Sequence, residues 1–453
     1  MKRFMMFAAF VLSLSFFFPF NAFATNGAQL IGVGATQKGM AGAVTAVPED
    51  AITAISNPAG MATIGSRADF NGEFFMPRRQ LDFTDLPVSP SAFAGPGEET
   101  GGGSELYALP ALGWTAPAFN RDDVFFGGGF FATGGLGVDY DVIDAGGAFK
   151  DASVSSTFIF AKVQPAIAWN VNERLSVGAG VSIDWQLLDI QETFAAPSLG
   201  GINLDLGRAE GVYGLGANIG AIYKINDMIT VGGSYTSRQY LPEMKYRIGD
   251  SDVKNLASGG YLASVESPGT VKLDLEFPQQ FALGVAVTPL EALTLEFDVK
   301  WINWSATHDA VKLSGNFVRK NGLGTVIDHP SSIDLNFGWD DQWVFALGGR
   351  YAVNDALTVR AGYEYAKSPI NEADVFNNVA LPVTVEQHAS LGASYNLGDH
   401  WGIAAAYMHA FKRDLSGKKD VPKAYQNLGF AATSKTRIQL VEDSIDLQLS
   451  YRF

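Results

Sequence analysis

The chain of 453 residues contains no cysteine, which excludes disulfide staples, thiolate metal sites and cysteine nucleophiles. Charge is sparse: Asp, Glu, Lys and Arg make up 17% of it, against about 25% in an ordinary soluble domain. Basic side chains are outnumbered 32 to 47, a formal net charge of −15. Nothing here would neutralise phosphates, so a nucleic-acid partner is excluded. Long apolar runs are missing too, since a spanning helix needs about 18 consecutive apolar residues and only the N-terminus approaches that. What is abundant is hydrophobic residues, at 47%, and glycine, 50 in all.

The N-terminal run has its own explanation. Lys2 and Arg3, an apolar stretch over residues 4–20 and the small-residue site Ala22-Phe23-Ala24 form a secretory signal over residues 1–24, cut after Ala24. A retained anchor fits less well, because the run is short and ends at Pro19.

From residue 67 the sequence alternates with period two. Leu175, Val177, Ala179, Val181, Ile183, Trp185 and Leu187 alternate with Ser176, Gly178, Gly180, Ser182, Asp184 and Gln186. Leu357, Val359, Ala361, Tyr363 and Tyr365 do so with Thr358, Arg360, Gly362 and Glu364. Successive strand side chains point to opposite faces, so one face is apolar and the other polar. A soluble sandwich would turn the apolar face to a core, and a membrane barrel would turn it to lipid.

Connection lengths separate the two. About fourteen strand-like segments begin near residues 67, 104, 123, 154, 174, 211, 228, 269, 292, 339, 356, 386, 400 and 435. Tight turns near 120–123, 172–174, 226–227, 289–291, 354–355 and 398–400 interleave with long loops near 79–103, 141–152, 193–210, 248–268, 314–338, 368–385 and 414–434. Outer-membrane barrels have short periplasmic turns and long extracellular loops, whereas a sandwich has no reason to obey such parity. The sequence therefore reads as all-β, a transmembrane antiparallel barrel of about fourteen strands over residues 67–453, in the outer membrane of a Gram-negative bacterium, with both termini periplasmic. Trp114, Trp169 and Trp401 fall near the short turns, where an aromatic girdle belongs. The final strand alternates to a C-terminal Phe, with Tyr451 and Phe453 resembling the signal read by the barrel-assembly machinery.

Residues 25–66 do not alternate. They are small, glycine-rich and nearly uncharged, with Glu49-Asp50 and then Ser56-Asn57-Pro58-Ala59-Gly60. Their Ile, Val and Met content is high for a solvated tail, and a fourteen-strand lumen is too wide for side chains alone to fill. A hatch plugging the lumen answers both. The run Gly39-Met40-Ala41-Gly42 through Asn57-Pro58-Ala59, with Trp301-Ile302-Asn303-Trp304-Ser305 and Tyr407-Met408-His409 further on, resembles the FadL/TodX family of outer-membrane transporters of long-chain fatty acids and other hydrophobic molecules.

That resemblance implies a passive channel that captures an apolar ligand at the loops, holds it beside the hatch and releases it through a lateral opening at an inward kink of the third strand. Here that strand carries Gly127, Gly128 and Gly129, then Gly134 and Gly135, where missing side chains permit a bend. A carboxylate head group would need a lumenal cation, and Arg350, Arg360, Lys224 and Lys300 are the candidates, each also readable as a solvated or paired charge. Asp340, Asp341, Asp184, Asp189 and Glu192 put acid where a head-group cation would be expected, which keeps aromatic and other hydrocarbons open as ligands. The chain has no Gly-x-Ser-x-Gly elbow, His-Glu-x-x-His or phosphate loop, so catalysis is not expected. No cofactor is implied. The expected partners are a hydrophobic small molecule, outer-membrane lipid and lipopolysaccharide, and the assembly machinery, with the chain a monomer.

Overall fold

The computed structural model describes residues 26–82, 99–101, 106–143, 151–195, 200–418, 421–428 and 436–453. The signal segment, residues 1–24, lies outside them. Fourteen strands form the wall: β1 (Arg67–Asp82), β2 (Tyr107–Pro117), β3 (Val124–Ile143), β4 (Asp151–Asn170), β5 (Leu175–Ala195), β6 (Val212–Lys224), β7 (Ile229–Thr236), β8 (Gln280–Leu290), β9 (Leu293–Ile302), β10 (Gln342–Ala352), β11 (Leu357–Ala366), β12 (Gln387–Leu397), β13 (Trp401–Ser416) and β14 (Arg437–Arg452). Each pairs antiparallel with the next. The barrel closes where β1 meets β14, in register from Arg67 opposite Arg452 to Asp82 opposite Arg437. Closure leaves no unpaired edge, which a bilayer would not tolerate.

The alternating rows resolve by direction. Val181 and Ile183 point outward, 56% and 51% exposed, while Asp184 and Gln186 point inward and are buried. Leu283, Val285, Phe345, Leu347, Leu447 and Leu449 extend the outward apolar belt around the wall. Trp169 and Trp401 face outward near the short turns, and the Trp169 indole N–H donates to Asp123 at 3.1 Å.

Towards the loop end the pattern inverts. On β5, Leu188, Ile190 and Phe194 turn inward and are buried, while Gln191 is exposed on the outside. On β4, Val163 and Ile167 are exposed below, whereas Val154, Phe158 and Phe160 fill the inside above. The strand register continues through Phe158 opposite Leu188 without a slip, so the change lies in the residues and not in the ladder. This is what a strand does on leaving lipid: its wet face moves outside and its apolar face moves to the interior.

One expected strand is misplaced. The segment at 269 is not part of the barrel; β8 begins at Gln280, and Gly269–Asp274 belongs to a separate four-stranded sheet with Met244–Ile248, Ala310–Ser314 and Ser332–Asn336. A second small sheet joins Leu256–Ser258, Tyr261–Val265, Phe317–Lys320 and Val326–Asp328. Both are built from the connections β7–β8 and β9–β10. Val271 and Leu273 alternate because their apolar face is buried against protein, and period two does not reveal whether lipid or a core covers that face.

Candidate functional site

Residues 26–66 pack against the inner wall through short helical turns, α1 (Ala35–Gly39) and α2 (Thr53–Ser56), followed by a 3-10 turn at Pro58–Ala62. Helices this short cannot stand alone, so the wall must hold them. Asn57 is fully buried and caps the 3-10 turn: its Oδ1 accepts from the Ala59 N–H at 3.2 Å, with Pro58 at the first helical position. Its Nδ2 donates to the Thr45 carbonyl at 2.7 Å and to the Ala221 carbonyl of β6 at 3.3 Å. The tripeptide Asn57-Pro58-Ala59 thus ties two parts of the hatch to the wall. It approaches so closely that a Cβ at Gly220 would meet Asn57 and one at Gly178 would meet Ala59.

The lumenal acids serve the hatch backbone. Asp298 accepts from the Val44 and Thr45 N–H groups at 2.9 and 3.0 Å, Glu296 from Ala46 and Val47 at 2.5 and 3.2 Å, and Asp69 from Ala51 at 2.8 Å. Gln164 and Asn218 both donate to the Ala54 carbonyl, at 2.5 and 3.1 Å. On α1, Lys38 is buried and pairs with Glu73 at 2.7 Å. Replacing Lys38 with Met strands a buried carboxylate and should weaken hatch docking by about 3–5 kcal/mol. Faster amide exchange across α1, with the barrel intact by heat-shifted electrophoresis, is the expected result; unchanged exchange would count against this role.

The candidate cations divide. Arg360 forms a two-toothed pair with Glu49 of the hatch, its Nε 3.0 Å from Oε1, and Arg350 lies 3.6 Å from the same carboxylate. The Arg360 charge is thus met by the hatch, and Arg350 stands at the edge of the same pair, its side chain partly exposed. Lys224 is exposed at the short-turn end of β6, at the end of the inward row Asn218, Gly220 and Ile222. Lys300 lines a cavity of about 100 Å³ between hatch and wall, together with Leu30, Val33, Thr133, Lys162 and Phe277. Lys162 was not singled out from the sequence, although its place in the inward row Phe160, Lys162, Gln164 is the pattern that finds it. Asp184 lies directly across the ladder from it.

Thr133 belongs to the stretch of β3 read as kinked. There the pairing with β4 slips between Ala132 and Gly134. From Phe131 to Val138 every residue is buried, so this stretch has no outward face of the kind the rest of the belt shows. The start of the hatch lies against it: the Leu30 N–H donates to the Thr133 carbonyl at 3.1 Å, and Gln29 bridges to Gly134. A Cβ at Gly134 would come 2.5 Å from the Ala28 carbonyl oxygen, so only glycine admits that approach. Gly135 continues the strand opposite Ile159.

Above the cavity stands an aromatic stack that local motifs did not announce. Phe277 lies on Phe160 with ring centres 4.0 Å apart, and the Trp304 ring meets Phe277 edge-on at 5.6 Å. His308 is clasped between Trp304 and Trp339 at 4.8 and 4.7 Å. The expected acids disperse: Asp341 accepts from Asn303 at 2.9 Å and from the Ser305 hydroxyl at 2.7 Å, Asp340 is exposed, and Asp189 accepts from the Ala209 N–H at 2.7 Å. At the loop end, Ile190, Leu204, Leu256, Phe376 and Tyr425 line a groove of about 610 Å³ that also holds Glu192.

At the other end Tyr451 packs against Trp401 at 4.7 Å and Phe453 at 5.3 Å, and the Phe453 N–H donates to the Ser66 carbonyl at 3.1 Å.

A closed barrel with an apolar belt, an occupied lumen and an apolar mouth defines the class of hatch-filled outer-membrane transport barrels. Residues 17–453 match the model of the outer membrane protein transport protein family (OMPP1/FadL/TodX), and the chain belongs to that family. It is 26% identical over 295 residues to the 47 kDa outer membrane protein of Pasteurella multocida, covering 63% of this chain, and 24% identical over 250 residues to the putative outer membrane protein NMB0088 of Neisseria meningitidis, covering 53%. The chain spans 60% and 51% of those two relatives' own lengths. Its fold matches the toluene transporter TodX of P. putida (TM-score 0.68, 19% identity, 93% of this chain and 99% of that one). It also matches a FadL homologue of Pseudomonas aeruginosa (TM-score 0.68, 21% identity, 94% and 100%). Family and fold are those of transport channels of the outer membrane, not of enzymes.

Proposed function

We propose that the chain carries hydrophobic molecules passively across the outer membrane, long-chain fatty acids foremost, entering at the loop-end groove, pausing beside the hatch and leaving sideways at the bend in β3. Short turns and both termini then face the periplasm. The observation that carries the reading is the contact of the hatch's first residues with that bend, through Leu30 and Thr133, at the edge of the cavity. A ligand entering the cavity has to displace this arm, which couples occupancy to the exit.

Two lysines in the cavity wall, Lys162 and Lys300, favour a carboxylate head over a bare hydrocarbon. The chain itself would bind by desolvation, at about 0.8 kcal/mol per CH2 buried. Hydrocarbons are the second reading, favoured by the Phe160–Phe277 stack beside the cavity. Uptake into cells making the protein distinguishes them. Replacing Lys162 and Lys300 together with Gln should lower oleate uptake roughly tenfold, about the worth of one charged hydrogen bond, and leave toluene uptake unchanged. Equal loss of both, or of neither, would overturn the fatty-acid assignment. Tyr451 and Phe453 are assigned to assembly, and deleting Phe453 should lower the amount of folded barrel, not the uptake per barrel.

A further inference from the structure

Glu192 is the one acid in an otherwise apolar inward row. On β5 the inward residues above the belt run Leu188, Ile190, Glu192 and Phe194, and their cross-strand neighbours Phe158 and Val154 on β4 and Leu204 on the short strand Ile202–Leu206 carry no charge. The other three of the row are buried, whereas Glu192 opens onto the groove of about 610 Å³. Among the described residues its carboxyl makes no side-chain hydrogen bond or ion pair. Its strand position is above the inversion at Leu187 and Leu188, outside the apolar belt.

Glu192 is half-buried, with its carboxyl reaching the groove, and an acid held among apolar side chains is stabilised by any hydrogen-bond donor that meets it there. Among the described residues lining this groove the other titratable and charged groups are Asp334, Lys423 and Tyr425, and Lys423 and Asp334 contribute one charge of each sign. Among the described residues none of them bonds Glu192, although its charge adds to burial in raising the Tyr425 phenol. A donor that enters the groove meets this carboxyl directly.

We infer that Glu192 selects the head group of the molecule captured at the loop end: it receives a hydrogen-bond-donating head, an alcohol or alkylammonium on a long apolar chain, and admits a fatty carboxylate only by sharing one proton with it. The tail lies along Ile190, Leu204, Leu256, Phe376 and Tyr425. A shared proton is the ordinary resolution when two carboxyls meet in one site. Burial pushes the Glu192 carboxyl up to about 7. The sign follows: below that pH Glu192 is neutral and donates to a carboxylate, and above it Glu192 is anionic, repels carboxylates and attracts ammonium.

This inference rests on the transport reading, and the experiment separates the two. The full-length protein in lipid nanodiscs is titrated with decanoate, decanol and decylammonium at pH 6 and pH 8, with empty nanodiscs as the blank. Glu192→Gln keeps the size and removes the charge. For the wild type, decanoate affinity should fall about tenfold between the two pH values, one proton being lost over about one unit past the titration point. Decylammonium affinity should rise, and Glu192→Gln should be flat for both. The selector role is overturned if Glu192→Gln follows the wild-type profile, or if none of the three probes binds above the blank. Normal oleate uptake by cells alongside either result would leave the transport reading standing and remove only this one, whereas absent uptake would remove the parent reading.

Discussion

Deleting residues 25–60 should turn a nearly closed lumen into an ion-conducting pore, raising conductance in planar bilayers roughly tenfold or more, because barrels only slightly wider hold open water channels. The hatch meets the lumen as backbone against glycine. Gly113, Gly178, Gly220, Gly232 and Gly362 each lie where an added Cβ would strike the hatch main chain or Asn57. A subtler variant follows. Gly220→Ala puts a methyl group against the Asn57 side chain, the residue that caps Pro58–Ala62 and fastens Thr45. The outward face of β6 is untouched, so the barrel should assemble normally while conductance rises part of the way to that of the deletion. Unchanged conductance in the deletion would mean that the lumen is blocked elsewhere, most directly by the 367–386 connection, whose Val375, Phe376, Val379 and Leu381 are buried.

The wall was legible because it obeys one simple rule. Lipid outside and water inside give a strict period of two, and short turns alternate with long loops wherever the chain reverses on opposite sides of a bilayer. Thus β6 was expected near 211 and begins at Val212, and β11 near 356 and begins at Leu357. The rule misled at residue 269, where Val271 and Leu273 alternate against a protein core. It also contained an unread signal: after Leu187 the apolar residues on β5 change parity, which marks the end of the belt and the start of the apolar mouth.

The interior was less legible because its partners are distant in sequence. That Arg360 would spend its charge on Glu49 cannot be read from either segment, since the pair closes across 311 positions. The acids Glu296 and Asp298 look like a repelling patch on one strand, and they become acceptors only when the backbone of residues 44–47 is laid beside them. Phe160, Phe277, Trp304 and Trp339 come from different strands and connections, so no local motif could assemble them. Glu192 was legible only as one of several acids on its strand, and the direction of its neighbours is what sets it apart.

Replacing Gly134 and Gly135 with Val should lower uptake of hydrophobic ligands about tenfold or more while barrel assembly proceeds, if the bend in β3 is the exit. Two effects of the change have to be separated. A side chain at Gly134 collides with the Ala28 carbonyl at 2.5 Å and crowds Phe277 at 3.2 Å, so it also pushes away the hatch arm. An arm pushed away would by itself ease exit, whereas a β-branched pair in the bend fills the opening and favours a straight, paired strand. Leu30→Pro isolates the first effect, because it removes the N–H that bonds Thr133 and leaves the wall unchanged. The expected order of uptake is Leu30→Pro at or above wild type, with the double valine variant far below both. If the two variants fall together, the arm contact is what transport needs and the bend is only its seat; if neither falls, ligands do not leave through β3. The choice has a physical root, since a lateral exit delivers an acyl chain from apolar wall to bilayer without exposing it to water, and every CH2 kept dry avoids a cost of about 0.8 kcal/mol.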